Sequence, residues 1–349
     1  MVKRLILAGI FLFPFLFLMS QPAFYSQRNT TSVLQNPAFT GLGHGKWRIS
    51  GIYQSADNAE AYNHNTYAGS FDYRIDPQWR HSDYGQIIER AERFSFGLGL
   101  TAEVRKGTPE HHPYEGWYVS AAFHYKPNKD FLLSVGAQPG FFTPSNWFPY
   151  PSYTLQYPAD SVVLPGRAAI RRFDYNAGIL IGLGNIDCWL EDLPKRFVAG
   201  IALRHAKRDQ RTEVIPGREI YIHSAMLLEA SRRWGLVPQA SLFLEGSNHF
   251  STGIQFLYRR HFGYADRFRF AMHYKSTGYA IAEAGFRIYG GANQTLGFDF
   301  TVSYDYALKT KSINQPWPTS VLEIGIVISP LKKCWGNSQC TNDYQLERL

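Results

Sequence analysis

Period-two alternation along most of the chain, an apolar leader and an aromatic-rich composition predict one fold class: an all-β, transmembrane, antiparallel outer-membrane β-barrel of about 14 strands. The alternation is clearest at residues 295–306. Leu296, Phe298, Phe300, Val302, Tyr304 and Tyr306 share one face, while Thr295, Gly297, Asp299, Thr301, Ser303 and Asp305 share the other. A helix would mix these sets, whereas a strand separates them. The same separation recurs at 267–275, with Phe268, Phe270, Met272 and Tyr274 on one face, and at 319–329, with Leu322, Ile324, Ile326 and Ile328. Aromatic residues make up 16% of the chain, with 25 Phe and 22 Tyr. They suit strands and the aromatic belts at membrane boundaries. A soluble sandwich also alternates, but these strands are longer than soluble ones, and their polar faces mix small and charged residues as a wet or partly filled lumen would.

Residues 1–20 read as a signal peptide. Lys3 and Arg4 supply the positive start, Leu5 to Leu18 the apolar run, and Ser20 a small residue before a cleavage point. Beyond Ser20 no stretch approaches the ~18 apolar residues of a membrane helix. Residues 21–45 follow as an N-terminal periplasmic segment. Asn36-Pro37 and Gly41, Gly43 and Gly45 make it irregular rather than a strand. Its apolar members Leu34, Phe39 and Leu42 are costly to leave in water, at about 1.5–3 kcal/mol each. The segment is therefore expected to fold back against the barrel or a partner, the plainer alternative being that it plugs one end of the lumen.

The barrel proper is expected over 46–330. Its strands are predicted at 46–55, 66–75, 94–104, 115–126, 130–142, 171–184, 196–206, 220–231, 236–246, 250–260, 266–276, 279–289, 295–307 and 319–329. An even count puts both barrel termini on the periplasmic side. The longest connection, 143–170, then lies outside, and its prolines at 144, 149, 151, 158 and 165 bar a central strand. Short links at 127–129, 232–235 and 290–294 suit periplasmic turns. Residues 331–349 are a periplasmic C-terminal tail. Cys334 and Cys340 lie close together in it and are disulfide candidates in an oxidising compartment; Cys188 offers a rival pairing. Their spacing matches no zinc site.

No motif carries catalysis. His81-Ser82-Asp83 are adjacent residues that cannot converge on one proton-transfer line. His111-His112 lack a third ligand. Gly97-x-Gly99 is too short for a nucleotide fingerprint and fits small lumen-facing residues instead. Asn29-Thr30-Thr31 is only a weak glycosylation acceptor pattern. No catalytic residue, cofactor or metal is therefore expected. The net charge is +8, or +6 without residues 1–20, but the basic residues are scattered, so no nucleic-acid partner is expected. Arg48, Asp72, Arg74, Glu103, Lys126, Arg267, Arg269, Lys275, Glu283, Arg287, Asp299, Asp305 and Glu323 all point inward on these registers. Both signs occur together, which favours structural ion pairs over a selective pore.

Two blocks of residues resemble a known family. Near the start stand Tyr25-Ser26-Gln27 and Val33-Leu34-Gln35-Asn36-Pro37-Ala38-Phe39-Thr40-Gly41, followed by Trp47-Arg48-Ile49, Gly51-Ile52-Tyr53-Gln54-Ser55 and Ser70-Phe71-Asp72-Tyr73. Near the end stand Tyr304-Asp305-Tyr306 and Leu322-Glu323-Ile324-Gly325. Together they resemble the PorP/SprF family of type IX secretion membrane proteins, with Val321-Leu322 in place of the family's usual Ser-His. The resemblance implies a non-enzymatic outer-membrane component of type IX protein secretion. It would support export or surface attachment of cargo such as gliding-type adhesins and dock periplasmic, peptidoglycan-linked machinery. It also marks Gln27, Asn36, Pro37, Ala38, Gly41, Tyr304, Asp305 and Glu323 as family-motif or partner candidates. From the residues alone, a general diffusion porin or small-solute channel remains the alternative.

Overall fold

The computed structural model describes residues 25–27, 30–42, 46–57, 64–75, 94–106, 114–128, 131–144, 172–183, 197–205, 219–229, 234–245, 247–259, 267–290, 296–308 and 320–330. Fifteen strand segments follow one another: β1 (Trp47–Asp57), β2 (His64–Ile75), β3 (Phe94–Lys106), β4 (Tyr114–Asn128), β5 (Phe131–Pro144), β6 (Arg172–Leu183), β7 (Phe197–Arg204), β8 (Glu219–Met226), β9 (Leu228–Glu229), β10 (Trp234–Glu245), β11 (Ser247–Arg259), β12 (Arg267–Lys275), β13 (Tyr279–Gly290), β14 (Leu296–Ala307) and β15 (Ser320–Pro330). β8 and β9 both pair with β10 and are one strand interrupted at Leu227. Each strand pairs antiparallel with the next, and β15 returns to β1 (Gln54 opposite Glu323, for example), so the sheet closes as a barrel of 14 strands.

Burial follows the alternation. In β3 the odd-numbered residues Ser95, Thr101 and Glu103 are buried, while Leu98 and Leu100 are 49% and 57% exposed. Trp117, Phe141, Phe270 and Ile326 likewise point out. An apolar surface of this extent in water would be a liability; facing lipid it is the stable arrangement. The chain is thus a transmembrane antiparallel outer-membrane β-barrel.

Three local details depart from the sequence reading. β5 runs through Thr143 to Pro144, opposite Glu115 and Tyr114, where the loop 143–170 is expected; a proline is tolerated at a strand end. β4 runs through Pro127 to Asn128, where a link is expected, and it does so with a register shift between Tyr125 and Asn128. A bulge of this kind lets a strand carry a proline near its end. β11 starts at Ser247 rather than 250, which tightens its hairpin with β10. At the β12–β13 turn, Gly278 adopts φ +90° and donates its N–H to the Lys275 carbonyl at 2.9 Å, a conformation that suits glycine.

The lumen is not wet where the sequence suggests it. Residues 25–27 and 30–42 run inside it. Tyr25, Gln27, Thr31, Val33, Asn36, Ala38, Thr40 and Leu42 are all buried. Ser32–Gln35 makes one helical turn and Pro37–Phe39 a 3-10 turn, with Asn36 between them. The Asn36 side chain caps the second turn by accepting from the Ala38 N–H at 2.9 Å.

Candidate functional site

The functional candidates gather where this internal segment meets the wall. Its two ends lie at opposite ends of the barrel. Tyr25 donates to Glu103 at 3.0 Å, close to the end of β3 at Lys106. Gly41 sits against Gly97, close to the start of β3 at Phe94. The segment therefore threads the lumen lengthwise.

At the Tyr25 end, Glu323 of β15 accepts from the backbone N–H groups of Ser26 (2.9 and 2.8 Å) and Gln27 (3.1 Å). Gln54 of β1 donates to the same carboxylate at 2.9 Å, and Ser303 of β14 at 3.1 Å. The Ser26 hydroxyl meets Asp305 at 2.8–2.9 Å. Lys275 of β12 bonds Asp305 at 2.6 Å and the Ser26 oxygen at 3.0 Å. Gln27 sends its amide to the carbonyls of Thr301 (3.3 Å) and Glu323 (3.0 Å). Two carboxylates and one ammonium thus close around two backbone N–H groups and a hydroxyl. Ionised carboxylates are acceptors only, so donors from the segment complete what the wall alone leaves short.

Toward the other end the chemistry changes. Asn36 donates to the carbonyls of Ile179 (3.3 Å) and Ile201 (3.5 Å) and lies 3.2 Å from His223 Nε2. The Ala38 carbonyl accepts from Ser134 at 2.6 Å. The Thr40 carbonyl lies 2.9 Å from His124 Nε2. Gly41 donates its N–H to Asp72 at 2.8 Å, and Asp72 is paired with Arg48 at 2.9 Å. Ala38 and Leu42, with Phe39 beside them, pack on Leu132, Leu180, Val198, Leu227, Val237 and Leu257 of the wall.

The wall is shaped for this contact. A Cβ added at Gly97, Gly136, Gly178 or Gly325 would overlap Thr40, Pro37, Asn36 or Gln27 respectively. Gly97-x-Gly99 is therefore the lumen-facing pair expected from the sequence, and the small side is needed because the segment's backbone passes over it.

Of the candidates named from the sequence, Gln27, Asn36, Pro37, Ala38, Gly41, Asp305 and Glu323 all lie in this one interface. Tyr304 does not: it is 46% exposed on the outer face. Residues the sequence reading does not name are His124, Ser134, His223 and the glycines of β5 and β6; Ser26 and Gly325 stand in it only within the two family blocks. The inward charges pair: Arg269 with Asp299 (2.7 Å), Arg287 with Asp299 (2.9 Å) and Lys275 with Asp305. Arg74 and Lys126 are half-buried. Thr301 is only 1% exposed; its hydroxyl meets the Arg269 guanidinium and its carbonyl meets Gln27. The wet face expected there is dry. Residues 1–20, His81-Ser82-Asp83, His111-His112, the three cysteines and the Arg267 side chain lie outside the described residues. Among the described residues no three His, Cys, Asp or Glu are grouped to hold a metal ion.

Solved structures share the fold. The toluene transporter TodX of Pseudomonas putida superposes with a TM-score of 0.50 at 8% identity, over 90% of this chain and 98% of that one. The toluene transporter TbuX of Ralstonia pickettii gives 0.49 at 12%, over 86% and 92%. A Pseudomonas aeruginosa FadL homologue gives 0.46 at 12%, over 86% and 92%. At such identities the likeness is one of fold alone. No curated protein sequence matches. The profile of the type IX secretion system membrane protein PorP/SprF, in contrast, matches residues 18–324, which include both halves of the interface just described. The chain belongs to the PorP/SprF family of type IX secretion system membrane proteins.

Proposed function

We propose that this barrel is a non-enzymatic component of type IX secretion in the bacterial outer membrane, reached after removal of residues 1–20. It supports export or surface attachment of cargo such as gliding-type adhesins, and it docks periplasmic, peptidoglycan-linked parts of the apparatus. Family membership across residues 18–324 supports the secretion role. The observation that favours docking over conduction is the lumen itself, where residues 25–27 and 30–42 lie along its length. The acidic and amide groups of the interface are all engaged in holding that segment, which leaves no constellation for acid–base or nucleophilic chemistry among them.

The small-solute channel has one observation in its favour. A cavity of about 40 Å³ remains between the segment and the wall from β8 to β13, lined by Tyr25, Gln239, Phe243, His249, His273 and Lys275 among others. It lies beside the segment and does not replace it.

The test is deletion of the gene followed by measurement of cargo in the medium and on the cell surface, together with affinity capture of the tagged protein from solubilised envelopes. The secretion reading expects cargo retained inside and co-purification of periplasmic secretion components. Normal export with no such partner would overturn it.

A further inference from the structure

We propose that the lumen is a peptide-binding site whose ligand is the chain's own segment 25–42, held as a separable stopper that seals the barrel to ions. Three observations carry this. First, among the described residues the segment makes no β-ladder with any strand; it is attached by side-chain bonds and packing, so its removal breaks no barrel hydrogen bond. Second, the wall is an imprint of it: Gly97, Gly136, Gly178 and Gly325 stand on β3, β5, β6 and β15, each where a side chain would strike the segment. Strand interiors otherwise favour β-branched and aromatic residues, so glycine there points to a close-approaching chain. Third, the carboxylates of Glu323 and Asp305 are matched among the described residues by one bonded cation, Lys275, and draw further partners from Ser26 and Gln27. The ligand class is a peptide rich in hydroxyl and amide side chains (Ser26, Gln27, Thr30, Thr31, Gln35, Asn36), with backbone N–H groups offered to the acidic pair.

The experiment uses the full-length protein in planar bilayers, with heat-modifiable gel mobility as the check on barrel folding. Gly178→Val combined with Gly325→Val fills the imprint and should expel the segment without harming the strands. Gly51→Val is the matched control, since a Cβ at Gly51 meets Ile326 at an ordinary 3.7 Å and the segment not at all. Wild type and Gly51→Val should be silent; the double variant should conduct, and its segment should become open to protease. Ser26→Pro with Gln27→Ala attacks the ligand instead of the wall, and it decides the matter if the glycine variant does not yield a folded barrel. Loss of the charge-assisted bonds from Ser26 should raise the open fraction about tenfold or more. Steady conductance by wild type, or folded variants that stay as silent as the control, would overturn the proposal.

Discussion

The two ends of the internal segment are held by different chemistry. Ser26 and Gln27 lie in a charged nest of Glu323, Asp305 and Lys275. Asn36 to Leu42 are held mainly by neutral groups, namely carbonyls, Ser134, His124 and an apolar cluster, with the Asp72–Arg48 pair at the edge. The difference matters because the two kinds of contact fail differently. An apolar contact weakens in proportion to the area lost. A buried carboxylate that loses its donors is left with the full cost of desolvation. The neutral end therefore supplies a graded grip and the charged end an all-or-none one.

Replacing Asn36-Pro37-Ala38 with Gly-Ser-Gly should have the largest effect. It removes the cap, the fixed turn and the bonds to Ile179 and Ile201 together. The barrel should stay heat-modifiable and inserted while cargo export is abolished. Export at wild-type levels from normally abundant variant protein would remove the neutral end from the functional site.

Leu42→Ala tests the graded grip. Leu42 is 2% exposed within the apolar cluster, so the loss should be about 2–5 kcal/mol, read as a lower temperature for release of the segment to protease. A change confined to barrel melting would mean that Leu42 serves the wall rather than the segment.

Ile326→Arg and Thr301→Arg compare the outer face with the charged end. The first sets a cation against lipid, at roughly 2–4 kcal/mol for a midplane position. Alternation alone predicts a mild effect for the second. Because Thr301 is packed between Arg269 and Gln27, it should instead be comparably harmful. Assembly yields measured side by side decide this, and a silent Thr301→Arg would mean that the charged end yields easily.

Asp305→Asn should have the smallest effect, at about 1.5–3 kcal/mol, since it keeps the shape and weakens only the charged bonds. Added salt should change it little, because buried pairs are poorly screened. Strong salt dependence of segment release would place that end in open water.

The strands are legible in the sequence because one face of each must meet lipid and the other the lumen, and a period of two admits only one reading. Phe300 against Thr301 and Ile326 against Glu323 behave as the alternation says. The path of residues 25–42 is not legible. That stretch has no periodicity, and its partners are far away in sequence: Ser26 bonds Glu323 across 297 positions. What the sequence displays are separate traces of one contact. The Asn36-Pro37-Ala38 block, the Asp305 and Glu323 positions and Gly97-x-Gly99 each stand out, and in the folded chain they all touch the same segment. Tyr304 enters by adjacency to Asp305, although neighbours in a strand point to opposite sides.

The 297-residue span has a consequence for biogenesis. The first described part of the chain is bonded to the last strand, across the seam where β15 meets β1. No intermediate that lacks β15 can contain that contact, because one of its two partners stands on β15. A chain still missing β15 has a leading segment without its Glu323 anchor and an unpaired edge on β1. Arrival of Glu323 settles both at once: it closes the seam opposite Gln54 and captures Ser26. The same carboxylate thus reports that the last stave is in place, so a barrel closed out of register would be marked by a segment that never seats.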